Sequence, residues 1–129
     1  MTDDDGPPIL SGKRYGKPSA FLPESLLREA RRQKGLSPEP MPAVCLLDPD
    51  GDIVRRLTAE GRAHRHEDWA CYHTELHVAE QGGVTLGIVG CAVGASFAVL
   101  VAEQLFASGC RLLLSVTSSG QITPVGPPD

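Results

Sequence analysis

Val84-Thr85-Leu86-Gly87-Ile88-Val89-Gly90-Cys91-Ala92-Val93-Gly94-Ala95-Ser96 opens the stretch that decides the fold. Residues 84–89 are short, apolar and rich in β-branched side chains, as a strand requires. Residues 90–94 are a turn bracketed by two glycines. The apolar run over 96–107 has the length of a helix and is stopped by Gly109. Residues 111–116 form a second apolar strand that runs into Thr117-Ser118-Ser119-Gly120. Strand, glycine turn, helix and strand, in that order, make a right-handed βαβ unit. The pattern predicts that 84–89 and 111–116 are neighbouring parallel strands bridged by the helix. Both strand ends then fall on one edge of the sheet, where open α/β sheets hold ligands.

Upstream, residues 43–47 read as a short apolar strand and Asp48-Pro49-Asp50-Gly51-Asp52 as a turn whose carboxylates bond their own backbone. Residues 53–57 begin a helix that carries Arg55 and Arg56. A strand over 72–80 joins 84–89 across Gln81-Gly82-Gly83, with glycines where a tight hairpin needs positive φ. Further back, Pro23 opens a helix over 23–35 that ends in cations and Gly35. Residues 1–42 therefore read as an irregular arm with one short helix and a Pro-rich linker, 43–124 as the α/β unit and 125–129 as a tail. The expected fold class is α/β, a mixed, largely parallel sheet with flanking helices. The strand over 111–116 is of the kind buried on both faces, and nothing after it could cover it, so the unit reads as half of a domain. A second chain, or a second copy in a homo-oligomer, is the expected partner.

With 16 acidic against 12 basic side chains, the net charge is -4. Nucleic acid and anionic membrane surfaces, which need a basic face, are not expected partners. Arg28, Arg31, Arg32 and Lys34 read as a solvated helix face. Residues 81–102 carry no charge and are long enough to span a bilayer. They hold five glycines, at 82, 83, 87, 90 and 94, and lack aromatic or basic anchors, so they read as a buried core. Cys45, Cys71, Cys91 and Cys110 show no C-x-x-C spacing and read as buried, reduced thiols. The acidic start, Met1-Thr2-Asp3-Asp4-Asp5, is unlike a secretory signal, and the expected location is cytoplasmic.

A series of short motifs carries a resemblance: Glu75-Leu76 through Gly82-Gly83, Val89 to Ser96 as quoted above, Ala102-Glu103-Gln104-Leu105, Ser108-Gly109-Cys110-Arg111 and Val116-Thr117-Ser118-Ser119-Gly120-Gln121-Ile122. In order and spacing they resemble the amino-terminal half of the nucleoside phosphorylase family, in particular its uridine phosphorylase-like members, over residues 43–124. The resemblance implies phosphate-dependent cleavage of a nucleoside N-glycosidic bond, with inorganic phosphate as co-substrate and no other cofactor. It implies phosphate binding at Ser118 and Ser119, and a nucleoside cleft along Gly94, Ala95, Ser96, Thr117 and Gly120. Uridine and purine nucleosides remain alternatives.

The phosphate-binding positions are degenerate. Where the family carries arginines, this chain carries Ile53 after the first strand, Glu67 beside His66, and Ser115 before the small-residue signature. Those arginines would make the charge-assisted contacts that recognise a phosphate dianion. Arg55 and Arg56 lie near the first position, but one residue along a helix turns a side chain by about 100°. The family's ribose- and base-contacting groups lie in its second half. The expected protein is thus a truncated or incomplete phosphorylase, inactive alone, with a noncatalytic binding or assembly subunit as the alternative.

The N-H groups of residues 95–97 open a helix and could face an anion. His64-Arg65-His66-Glu67-Asp68 resembles the H-x-H-x-D-H run of metallo-hydrolases, and His73 and His77 stand four apart. Trp69 replaces the last histidine of that run, and in a strand residues four apart are about 13 Å distant, so no metal is expected. The histidines read as exposed loop residues.

Overall fold

The computed structural model describes residue 7, residues 11–120 and residues 122, 123 and 126. Residues 1–6 and 8–10 of the expected arm, Gln121, and residues 124, 125 and 127–129 lie outside the described residues.

Five strands form one sheet in the order β2-β3-β4-β1-β5. They are β1 (Val44–Asp48), β2 (Ala63–Arg65), β3 (His77–Gln81), β4 (Val84–Gly90) and β5 (Leu112–Ser115), and the helices are α1 (Pro23–Lys34), α2 (Asp52–Ala59) and α3 (Ala95–Ala107). β1 runs parallel to β4, with Leu46 opposite Ile88, and parallel to β5, with Leu46 opposite Leu114. β3 is antiparallel to both β4 and β2. The protein is therefore α/β with a mixed sheet and flanking helices.

Side chains alternate between two faces along each central strand. Cys45 and Leu47 of β1, Val78 of β3 and Val89 of β4 pack with Val101 and Leu105 of α3. On the other face, Leu46, Ala79, Leu86 and Ile88 pack with Ile53, Val54 and Leu57 of α2. α1 lies against α3 through Leu27, Ala30 and Ala107. Its end is the one foreseen: Gly35 turns left-handed, and Leu36 N–H donates to the Arg31 carbonyl at 3.0 Å.

Several expectations are corrected. The strands at 84–89 and 111–116 are parallel but not neighbours, because β1 lies between them. α3 carries the chain back along the sheet, and a helix about 10 Å wide covers two strand spacings of about 4.8 Å, so the crossover passes over an intervening strand. β1, apolar over residues 44–47 and covered on both faces, lies between β4 and β5. The strand expected from Tyr72 begins only at His77, since residues 66–76 are folded into a loop in which His66 N–H donates to the Leu76 carbonyl at 2.8 Å and Trp69 Nε1 donates to Thr74 Oγ1 at 2.9 Å. His73 is thus outside the strand. His64 lies in β2, which was not foreseen because it is only three residues long, and His77 is in β3 and partly buried.

β5 is not buried on both faces. It is an edge strand whose Leu112 and Leu114 are 51% and 49% exposed. All four cysteines are free, but Cys91 is exposed while the other three are buried. Burial, with Cys110 beside it, pushes the Cys45 thiol up to about 12. The uncharged stretch over 81–102 is divided between β4 and α3, and among the described residues no helix is long and apolar enough to cross a membrane.

Candidate functional site at the carboxyl edge of the sheet

Because β1, β4 and β5 are parallel, and β2 runs with them through two antiparallel pairings, their carboxyl ends all meet one edge. The segments that follow them, 49–51, 91–94, 116–120 and 66–76, are gathered there. The loop after β1 leads to α2 on one face, whereas the loop after the adjacent β4 leads to α3 on the other. A divergence of that kind opens a crevice between the two strand ends, the usual ligand position of an open α/β sheet.

Asp48 organises the floor of this crevice. It is 1% exposed, and its Oδ2 accepts the Val54 N–H at 2.9 Å, satisfying a donor in the first turn of α2. Its carbonyl accepts the N–H groups of both Gly51 and Cys91, each at 2.9 Å, so one residue ties the two loops together. The approach is close enough to demand glycine at two points. A methyl group at Gly90 would stand 2.7 Å from Val54 Cγ1, and one at Gly51 would stand 2.7 Å from Cys91 Sγ and 2.8 Å from an Arg55 guanidinium nitrogen. Cys91 itself is a left-handed non-glycine residue, with φ of 63°.

Across the crevice mouth, Asp50 Oδ2 gathers donors from the far end of β5. It accepts the Ser118 N–H at 3.0 Å, the Ser118 hydroxyl at 3.1 Å and the Thr117 hydroxyl at 3.3 Å. The Ser118 N–H, then its hydroxyl, then Thr117, aided by the charge of Arg55, hold the Asp50 carboxyl below the usual carboxylate range. Arg55 reaches back from α2 to donate to the Asp50 carbonyl at 3.0 Å and to pair with Asp52. Arg56 instead faces along the exposed side of α2 to Glu60, at 2.9 Å.

Two cavities continue the edge toward β2 and β3. One of about 230 Å³ is lined by Val54, His73, His77, Gly90 and Cys91 among others, and Nδ1 of His77 is buried with no hydrogen-bond partner among the described residues. The second, of about 240 Å³, lies beside Arg65, His66, Trp69 and Tyr72, and shares His73, Thr74 and Glu75 with the first. Arg65 pairs with Glu75 at 3.1 Å. Lys34 donates to the carbonyls of Ala70 and Cys71, at 3.1 and 2.8 Å, and pins the loop from below. Among the described residues, no group of three or more His, Cys, Asp or Glu side chains is arranged to hold a metal ion.

Of the residues expected to form the site, Ser118 and Thr117 are brought onto the loop after β1. Ser119 and Gly120 are exposed beyond them and make no hydrogen bond to that loop among the described residues. Gly94 caps α3 with φ of 94°, and Ala95 and Ser96 open its first turn without a side-chain cap; all three are exposed and line neither cavity. Asp50 was given no role of its own, Arg55 was weighed and set aside as a replacement arginine, His77 was weighed and set aside as a metal ligand, and Cys91 was read as a buried thiol. The available signal was the density of carboxylates in residues 48–52, which does not say what they bond across the sheet. No protein-family model matches the chain, and neither a curated protein nor a solved structure matches it.

Proposed function

We propose that the chain is a nucleoside phosphorylase-like protein, equivalent to the first half of a phosphorylase domain, that binds a nucleoside at the carboxyl edge and does not cleave it unaided. One observation carries the reading. The two pieces that the sequence resemblance assigns to the phosphate side of such a site, the loop after β1 and the serine after β5, hydrogen-bond to each other although 68 residues separate Asp50 from Ser118. The arginine positions of the family hold Ile53, which packs into the core under α2, and Glu67 and Ser115, which are exposed. Arg55 is the cation nearest the loop, and it is engaged with Asp50 and Asp52. Without a free guanidinium a phosphate nucleophile is poorly held, and charge passing from phosphate to the departing base is poorly stabilised.

The second reading, a noncatalytic assembly subunit, is favoured by the exposed leucines of β5. Both readings place the protein in the cytoplasm, as a homo-oligomer or in complex with a chain that completes the site. The test is titration of the purified chain with uridine, inosine and adenosine, followed through the amide resonances of residues 48–52, 90–96 and 117–120. Saturable shifts in these segments are expected, with no release of free base when phosphate is added. Resonances unmoved by all three nucleosides would defeat the phosphorylase-like reading, and steady phosphate-dependent release of base would defeat the claim that the chain is inactive alone.

A further inference from the structure

The three donors at the end of β5 are already spoken for. One oxygen of Asp50 accepts the N–H and hydroxyl of Ser118 at 3.0 and 3.1 Å and shares the Thr117 hydroxyl, at 3.3 Å, with the Ser118 carbonyl at 3.2 Å. A converging N–H and two hydroxyls, with a guanidinium nearby, are the groups an oxyanion asks for, and a carboxylate oxygen and a phosphate oxygen make the same demands on them. The two cannot share the place. A phosphate brought to Ser118 would lose its donors to Asp50 and meet a like charge at contact distance.

Resting on the reading above, we propose that Asp50 is a built-in occupant of the anion subsite, which makes the carboxyl edge of this chain selective for uncharged nucleosides and closed to phosphate. The arrangement uses residues from two separate loops and is anchored from beneath: the Asp48 carbonyl holds Gly51 N–H, and Arg55 holds the Asp50 carbonyl. Among the described residues the charged and titratable groups around Asp50 are Arg55 and Asp52 on α2, the buried Asp48 at the end of β1, and Cys91 after β4. Among the described residues Arg55 is the cation of this group, and it keeps its pairing with Asp52 and its bond to the Asp50 carbonyl when the Asp50 carboxylate is neutral or absent. What an incoming anion gains is therefore the freed donors of Ser118 and Thr117 and relief from a like charge, with Arg55 acting on it from a distance.

The experiment is a titration with inorganic phosphate at neutral pH, followed through the Ser118 amide resonance in the wild-type chain, Asp50→Ala, and Asp50→Ala combined with Ser118→Ala or Arg55→Gln. Wild type should be unmoved. Asp50→Ala should show a saturable shift with an affinity at least about tenfold above wild type, and either second substitution should weaken it. A saturable shift in wild type, or none in a folded Asp50→Ala, overturns the proposal.

Should Asp50→Ala fail to fold, sulfate added to the wild-type chain across the acid range gives the same answer, because Ser118 holds Asp50 in its charged form. The Ser118 resonance should follow protonation of Asp50 with a midpoint below the ordinary aspartate value of about 3.9. Sulfate should begin to shift it only as the pH falls through that midpoint, and sulfate binding at neutral pH would count against the occupant. Titration with uridine and inosine separates this proposal from the reading on which it rests. Nucleoside binding without a gain of phosphate binding in Asp50→Ala defeats the occupant alone, whereas a gain of phosphate binding without nucleoside binding defeats the phosphorylase-like reading alone.

Discussion

β1 and β5 lie side by side, run in the same direction and read almost alike, as Val44-Cys45-Leu46-Leu47 and Leu112-Leu113-Leu114-Ser115. Their fates differ. β1 has a strand on each side and a helix over each face, and Leu47 is 5% exposed. β5 has β1 on one side only, and while Leu113 packs toward α3, Leu112 and Leu114 stand about half exposed on the other face. An apolar strand therefore states what burial it would gain, whereas its neighbours determine what burial it receives.

The comparison is broken most directly by truncating one leucine in each strand. Leu47→Ala should destabilise the protein by about 2–5 kcal/mol, since it leaves a cavity in a packed core, and chemical denaturation measures it. A smaller loss, about 1–3 kcal/mol, is expected for Asp48→Ala. That change leaves the Val54 N–H in the first turn of α2 without its acceptor, while the backbone carbonyl that ties the two loops remains.

Leu114→Ala should cost the least, under about 1 kcal/mol in the monomer, because much of its side chain is already in water. Its larger effect should be on association. An open edge strand with apolar side chains is a template for a further strand. Sedimentation of the wild type is expected to show a dimer or larger species, and the double change Leu112→Asp and Leu114→Asp should return it to a monomer that unfolds cooperatively. A wild-type monomer at micromolar concentration would show that β5 tolerates its exposure. If Leu114→Ala instead cost as much as Leu47→Ala, and did so only at high protein concentration, β5 would be buried against another chain.

The site divides in a similar way. Its acidic end is closed by hydrogen bonds among Asp50, Thr117 and Ser118, whereas the end beside His73 and His77 keeps its cavities. Asp50 contributes to loop closure above the ordinary aspartate range, since its folded value is depressed. That contribution is lost as the pH falls through the depressed value.

Local elements were legible from local rules. Pro23 and Gly35 bound α1, the glycines at 82 and 83 turn β3 into β4, and the break at residues 90–94 separates β4 from α3, because each is decided by φ preferences and by apolar period within a few residues. β2 and the true start of β3 were not legible. A three-residue strand carries too little period, and the 66–76 loop is held by Lys34, Trp69 and Thr74 through contacts that no window contains. That the carboxyl ends of β4 and β5 share one edge could be read from the strand–helix–strand order. Which loops face each other there could not.

By itself, then, the sequence determined the α/β class and the direction of the strands around α3, since these follow from chain chirality and apolar period. Tertiary structure alone decided that β1 stands between β4 and β5, that Cys91 faces outward at a left-handed turn, and that Asp50 meets Ser118. Strand order is a competition for burial among segments distant in the chain, and hydrogen bonds across 68 residues exist only after that competition is resolved.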